Sequence, residues 1–559
     1  MGVHERKYTT DRLFNFRPLL FSSICLALGV AFAYLHIFKD VSAWWSLCLL
    51  PFAAASFCFC DNAKRLRLTL VAVVWLIACF ACGFAAFKNK ILDFSATRQY
   101  AQSAEVVGQV KDKTCTEYML ILTLDGVRID GEEQNGRLKA YFSTEYVDAV
   151  SLADVVRMRG FVQTDVTYFD KYGFRANDVS DNVRFSLSKI ESFEIVGHKF
   201  DPFAAVRTRM ERVTYAGMDE TPAAVTMAVL TGNTSGIERD LLENVRRGGI
   251  AHIFAVSGLH MGALYAFCLF LMKKTSLSRW SKFSRFLLVF GALFFYAGVC
   301  GFTASVVRAL ILCVCSYAFK LIGIKTDSLE LLGLAAFLIL LFNPIQLFCV
   351  GFHLSFAACF GIVFLAKPLG RVLNNGIERV ILCFAGKHRE EVLERRKQRE
   401  DLPPTVGESI RRWAVSLLSV SFAAQIATTP ILLQTFGYVS CWAILLNLLF
   451  VPLISATFSL LLIFVLIACV LPVSAASVIL YLPSMLWSAV LLTFEILDFS
   501  SFMIRGFTLT GWAIVCYYLA CTLCSDKWNL SKKLRRGYAC GLLLAFGIVT
   551  CVANFPLIW

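Results

Sequence analysis

Runs of roughly 20 apolar residues recur along this chain, and nothing else in it narrows the possible folds so far. A helix needs about that length to cross a bilayer's hydrocarbon core, and lipid tolerates no unpaired backbone inside it. Residues 18–39, 41–60 and 68–87 form the first three runs, and others follow beyond residue 250. Hydrophobic residues make up 57% of the 559 and charged residues only 17%, against about 25% charge in soluble domains. The sequence predicts a polytopic α-helical membrane protein. Residues 1–17 are polar and the next run is too long for a signal-peptide core, so the first span is expected to stay uncleaved.

Basic residues set the direction of the spans. Arg6, Lys7, Arg12 and Arg17 precede the first, and Lys64, Arg65 and Arg67 lie between the second and third. Both flanks should be cytoplasmic, which places the segment after Phe87 outside. The formal charge of +14 fits either this cytoplasmic excess or a nucleic-acid partner. From 88 to 201 the chain turns mixed in charge, with short alternating runs at 119–124, 137–142 and 155–162 that read as strands. Asn135-Gly136 is a hairpin signal. Several strands in so short a stretch fit a small antiparallel β-barrel inserted after three N-terminal transmembrane helices. Residues 202–250 read as amphipathic helices lying along the membrane surface, with Thr221-Pro222 as a helix start.

The stretch 252–264 then sets polar and small residues inside a membrane-length segment of about 252–272 that should run inward to Lys273 and Lys274. Drawn as one helix, Gly258, Gly262 and Ala266 form a small-residue strip for packing, while Ser257 and His260 project from another face. His252 and His260 point about 80° apart, too far for a metal pair, and no third ligand is evident. The 21 cysteines sit mostly in apolar runs without metal-type spacing. Arg308 follows the next span, 286–303, as either a snorkelling side chain or a cavity cation able to hold phosphate. His353 and Ser355 lie in the pair 331–342 and 347–367, which could form a re-entrant hairpin broken at Asn343-Pro344. The basic loop 386–412 reads as a solvated cytoplasmic helix. The span 413–435 carries Gln425, Thr428 and Pro430, and the run 438–471 carries Asn447 and Pro452. Helix interruptions are expected there, since proline frees a carbonyl that needs a partner. Runs at 475–497, 508–524 and 538–558 complete the bundle.

Four ordered motifs carry a resemblance. Leu230-Thr231-Gly232 with Gly248-Gly249-Ile250-Ala251-His252 leads into Ala255-Val256-Ser257-Gly258-Leu259-His260; then come Ser305-Val306-Val307-Arg308-Ala309, Asn343-Pro344 with Gly351-Phe352-His353-Leu354-Ser355-Phe356, and Gln425 to Pro430 with Asn447 and Pro452. Together they resemble ComEC, the inner-membrane channel family of bacterial DNA uptake. The resemblance implies an extracytoplasmic OB-like domain over 88–201, a competence channel core over 251–475, and flanking transmembrane helices at 1–87 and 476–559. Cys115 is alone in the polar domain, so that domain is expected to close no internal disulfide, whereas some relatives do. Many relatives continue into a metallo-β-lactamase-like nuclease domain; the 23 residues after Arg536 leave no room for one, and no H-x-H-x-D-H cluster occurs. The expected form is therefore not an enzyme, with no cofactor and no metal.

The expected function is a channel passing DNA as a single strand during natural transformation, in the bacterial cytoplasmic membrane with the N-terminus inside. His252, Ser257, Gly258, His260, Arg308, His353, Ser355, Gln425, Thr428, Pro430, Asn447 and Pro452 would line the path, because a charged backbone needs a wet, partly cationic route. Arg137, Lys139, Tyr141, Phe142, Arg157 and Arg159 could bind DNA on the OB-like surface, although near-balanced charge also suits plain strand alternation. With no Walker motif, energy must come from a partner ATP-driven motor or from trapping; an extracytoplasmic receptor, a separate nuclease and a homo-oligomer are the other expected partners. The alternatives are a membrane-embedded hydrolase with Ser257 as nucleophile and His260 as base, or a permease for another anionic polymer or lipid.

Overall fold

The computed structural model describes residues 17–39, 41, 63–115, 119–143, 150–164, 175–254, 256–272, 279–323, 327–385, 405–496, 503–506, 509–525, 527 and 531–554. Residues 42–60 of the second expected span and 386–404 of the basic loop lie outside them. Nine helices among the described residues are long and apolar enough to cross a membrane. The first is α1 (Pro18–Phe38); it packs against α2 (Ala63–Ser95). An added Cβ at Gly29 would strike the Phe80 carbonyl, and one at Gly83 the Leu26 carbonyl. Small residues let two membrane helices approach this closely.

The polar segment folds as β1 (Ala101–Cys115), β2 (Leu120–Ile129), β3 (Glu132–Glu133), β4 (Arg137–Phe142), β5 (Asp154–Thr164) and β6 (Val183–His198). They form one six-stranded sheet in the order β1-β5-β6-β4-β2-β3, and β1 pairs with β2 as well. The β4–β6 pair is parallel and the rest are antiparallel. Period-two alternation sends Leu138, Ala140 and Phe142 inward together with Val156, Met158 and Val162. Asn135-Gly136 does not make the expected hairpin, since β3 and β4 both pair with β2 rather than with each other. The two-residue turn is Asp130-Gly131, with φ of 50° and 83°, the positive pair that matches strand twist.

Contacts that fasten the sheet domain to the helices include an ion pair of Arg207 with Asp112 at 3.5 Å and two further attachments. Arg184, buried in β6, pairs with Asp93, donates to the Asp93 carbonyl at 3.1 Å and Thr97 Oγ1 at 3.0 Å, and lies over the Phe94 ring. The short helix α3 (Ala176–Ser180) docks on a 3-10 turn at Pro344–Phe348. There Asn343 Nδ2 donates to the Ser180 carbonyl at 3.0 Å and Gln346 Nε2 to Ser180 Oγ at 2.6 Å.

After the sheet come α4 (Pro202–Gly217), α5 (Glu220–Thr231), α6 (Arg239–Arg247), α7 (Gly258–Leu271), α8 (Arg279–Val299) and α9 (Ala304–Ile322). Next are α10 (Ser328–Phe342), α11 (Val350–Ala385), α12 (Val406–Phe436), α13 (Ala443–Val470), α14 (Ala476–Ile496), α15 (Gly511–Leu523) and α16 (Lys532–Asn554). Strands β7 (Tyr438–Ser440) and β8 (Met503–Arg505) pair across a short antiparallel ladder. One core gathers α4 to α9 with α13 and α14. Two smaller clusters join α1, α2, α10 and α11, and α10, α11, α12 and α15. The resulting two helix groups meet where α9 lies against α10 and α11, and where α12 lies against α13.

Three expectations change here. Within residues 202–250, α5 is not a surface helix, because every residue from 222 to 231 is buried. A helix with apolar residues on all sides belongs inside. The break at Asn343-Pro344 is real, but it serves as the seat of α3. Helices α12 and α13 both run uninterrupted through Pro430 and Pro452. Pro430 lacks the N–H that would reach the Ile426 carbonyl; Tyr517 Oη donates to that carbonyl at 2.8 Å, and Tyr518 Oη to the Ala427 carbonyl at 2.7 Å.

Candidate translocation path

The 252–264 stretch is not one helix. His252 sits in a 3-10 turn, Ala251–Ile253, with its side chain exposed, and α7 begins only at Gly258. Ser257 is the helix N-cap: its Oγ accepts from Leu259 N at 3.2 Å, while Ser257 N donates to His260 Nδ1 at 3.1 Å. This reciprocal cap satisfies two of the donors that every helix start leaves open. Accepting at Nδ1 assigns the ring proton of a neutral His260 to Nε2. That Nε2 is buried without a partner, and the ring, 1% exposed, lies 4.6 Å from the Phe458 ring. The Gly258, Gly262 and Ala266 strip does not seat a neighbouring backbone. An added Cβ at Gly262 meets nothing within 4 Å, and Ala266 is exposed.

The turn before α7 is instead held by α9. Ser305 Oγ donates to the Val256 carbonyl at 2.8 Å, and a Cβ at Gly258 would meet Ala309 Cβ at 4.0 Å. Between Ser305 and Ala309 stands Arg308, only 4% exposed. Its Nε and Nη1 have no hydrogen-bond partner, and no ion pair to it occurs among the described residues. Cys349, just ahead of α11, and Cys359 of α11 lie within its electrostatic reach. Arg308 therefore stands at the seam of the two helix groups, beside the cap of α7. A buried guanidinium without a carboxylate is poorly placed for stability and well placed to receive an anion through its planar fork.

The other expected residues are more dispersed. His353 is exposed near the start of α11 and its Nε2 donates to the Leu347 carbonyl; Ser355 is half-buried. Gln425 and Thr428 are half-buried on α12, where Thr428 Oγ1 turns back to the Ala424 carbonyl at 2.9 Å. Asn447 Oδ1 on α13 is buried without a partner. On the sheet every expected cation has an acidic neighbour: Arg137 with Asp125, Lys139 with Asp178, Arg157 with Glu105 and Glu194, Arg159 with Glu191. Tyr141 is half-buried, while Phe142 is a core residue, 6% exposed and edge-on to Phe193. Phe142 is thus corrected from a stacking platform to packing. Beside Lys139, burial pushes the Asp181 carboxyl above its ordinary range.

A family model described as Competence protein matches residues 229–529, more than half of the 559 residues. The chain belongs to the ComEC competence family. Among curated proteins, ComE operon protein 3 of Bacillus subtilis (strain 168) is 28% identical over 228 residues, covering 41% of this chain and 24% of that protein. Uncharacterized protein MG316 of Mycoplasma genitalium is 32% identical over 132 residues, covering 23% and 32% respectively. The matched stretches thus span about a quarter and a third of those relatives. No solved structure matches the chain significantly. As a ComEC-family protein it is multi-pass by its apolar helices, and the family match begins within α5, leaving the sheet domain outside it.

Several structurally important residues were not singled out by their local sequence. Tyr296 Oη donates to the Leu230 carbonyl at 2.7 Å, tying α8 to the end of α5 just before the left-handed Gly232 cap. Ser180, Arg184, Gln346, Tyr517 and Tyr518 each act on a partner far away in sequence. The one usable local signal was the proline itself, which announces a freed carbonyl without saying who takes it.

Proposed function

We propose that this chain takes part in competence DNA uptake by carrying incoming DNA across the cytoplasmic membrane as a single strand. The observation that carries this reading is Arg308: a buried guanidinium with unpaired donors, on an apolar helix, at the junction of two helix groups. Hydrocarbon makes such a charge expensive, and intramembrane cations with no protein partner usually serve a substrate. His260 Nε2 and Asn447 Oδ1 add two more buried polar atoms awaiting partners. Single, separated contacts suit a strand that must leave each site as it moves.

The sheet domain we read as OB-like and extracytoplasmic, on the pairing of β1 with both β2 and β5 and on the parallel β4–β6 pair. The cytoplasmic N-terminus follows from the basic flanks. A partner motor, receptor and nuclease belong to the same proposal, as does a transporter role rather than an enzymatic one. In the hydrolase alternative Ser257 Oγ, 3.4 Å from His260 Nδ1, would pass its proton to that nitrogen; the same two atoms also cap α7, Oγ accepting from Leu259 N and Nδ1 from Ser257 N, and we read capping as their role.

The test is uptake of labelled duplex DNA, scored separately outside and inside the cytoplasmic membrane. Deleting the gene, or making Arg308→Ala or His260→Ala, should leave the outer pool and remove the protected single-stranded pool. Unchanged internal DNA in all three would refute the reading. A hydrolase would instead lose turnover with Ser257→Ala alone and would react with a serine-directed probe.

A further inference from the structure

A second cationic feature lies apart from Arg308. Helix α6 and the β7–β8 ladder enclose a pocket of about 570 Å³ into which Arg239, Arg246, Arg247 and Arg505 converge against the single carboxylate of Glu243. Arg247 pairs with that carboxylate. Arg246 and Arg505 are exposed and have no ion pair among the described residues. Two aromatic rings, Phe436 and Tyr438, complete the wall, and Phe436 is 54% exposed.

The position of the pocket gives it meaning. Gly361 of α11 packs on Ala423 and Ala427 of α12, and Gly370 on Ser419, so the two helices run antiparallel. The start of α11 lies at the 3-10 turn under the sheet domain, and the end of α12 at Phe436 therefore returns to that same face. On the orientation proposed above this face is extracytoplasmic, where arginine is depleted. Four arginines around one pocket run against that bias. The ladder that walls the pocket also packs on the chain leading to α7. Gly249, at φ +75°, is pressed against the ladder and α13, with an added Cβ 3.0 Å from Ser440 Cβ and 2.7 Å from Ala443 Cβ. Three residues later comes His252, and five beyond that the cap of α7.

Guanidinium forks bind phosphate oxygens in pairs, and exposed rings stack on bases of any sequence. Arginines interleaved with aromatics are the chemistry of single-stranded nucleic acid. A lipid headgroup would use the cations and leave the rings idle. We propose that this pocket is a loading site that grips a single-stranded phosphodiester by its phosphates and a stacked base before the strand reaches Arg308. The proposal rests on the uptake reading above and deepens it.

The test uses the full-length protein in detergent with a fluorescent oligothymidine, read by anisotropy over a salt series. Arg246→Gln with Arg505→Gln should weaken binding roughly tenfold or more and flatten the slope of log affinity against log salt by about 1.4, the value for two lost phosphate contacts on a single strand. Glu243→Gln, removing the one carboxylate, should tighten binding. Phe436→Ala should weaken the oligothymidine but not an abasic strand of equal length. An unaltered thermal midpoint shows that each variant folds. Equal binding by wild type and double variant overturns the proposal, as does displacement of the oligonucleotide by anionic phospholipid vesicles with no effect of Phe436→Ala, which would make this a headgroup site. If gene deletion abolishes internal DNA while the double variant imports normally, the pocket is wrong and the uptake reading stands. If deletion leaves uptake intact, that reading fails first.

Discussion

Replacing Arg308 with methionine separates a functional cation from a structural one by the sign of the stability change. The side chain is 4% exposed, and two of its nitrogens bond to nothing. A buried charge that balances a carboxylate costs about 3–5 kcal/mol to break, because its partner is stranded. Arg308 has no such partner among the described residues, so its removal strands nothing, whereas methionine fills similar volume and adapts to irregular space. Replacement of buried ionic groups by apolar residues of similar volume is neutral or stabilising by about 1–4 kcal/mol. At about 2 °C per kcal/mol for a large domain, the midpoint in a detergent thermal scan should hold or rise by roughly 2–8 °C. Internal single-stranded DNA should vanish in the uptake assay. Such a gain in stability with a loss of function is expected where a site holds strain for its task. A fall in midpoint of several degrees would refute the reasoning, because it would mean that Arg308 holds the two helix groups together.

The remaining predictions concern packing that the function depends on. Tyr517→Phe strips the Ile426 carbonyl of its substitute partner beside Pro430 and should destabilise α12 by about 1–3 kcal/mol, the penalty of a buried unpaired acceptor, seen as faster hydrogen exchange through that helix. Ser180→Ala removes the hydroxyl that accepts from Gln346 and should cost about 1–3 kcal/mol at the docking point; limited proteolysis should then cut more readily around residues 175–182 while the helices stay protected. Phe142→Ala should lower stability by about 3–5 kcal/mol as a core truncation and leave oligonucleotide affinity of the folded fraction unchanged; a selective loss of affinity would return Phe142 to the DNA-binding surface.

Membrane character was legible because lipid imposes its condition on each residue locally: α1, α9 and α13 could be read off as apolar runs with no knowledge of their neighbours. The sheet domain was legible for the same local reason, through alternation at 137–142 and 155–162. Hairpin placement was not. Both Asn135-Gly136 and Asp130-Gly131 carry the turn signal, and only the register Ile129 to Glu132 selects the second. Partners were the larger omission. Asn343 meets a residue 163 positions away, Pro430's freed carbonyl is served from 91 positions away, and Arg184 crosses 91 positions to Asp93. A lone sequence marks such groups as needing something without naming it. Ser257 and His260 show the opposite error: their spacing of three fits a helical face and a capping box equally, and the glycines after them obscured the helix start.

Which buried polar groups stay unsatisfied bears on where a strand could pass. Ser257, Thr428, Thr429, Tyr296 and Tyr517 all close their hydrogen bonds within the protein, so they serve the packing of their own helix group. The groups left open include Arg308 on α9, His260 on α7 and Asn447 on α13, and α9 lies where the two groups touch. A pore through the middle of either packed core would have to break the dense contacts that hold it. A pore along the seam needs only the groups to part, the rigid-body motion by which packed units usually switch. The unpaired donors of Arg308 would then face the opening without any change in its own helix, and the loading pocket, on the ladder against which Gly249 packs, would present the strand on the same side as the turn ahead of α7.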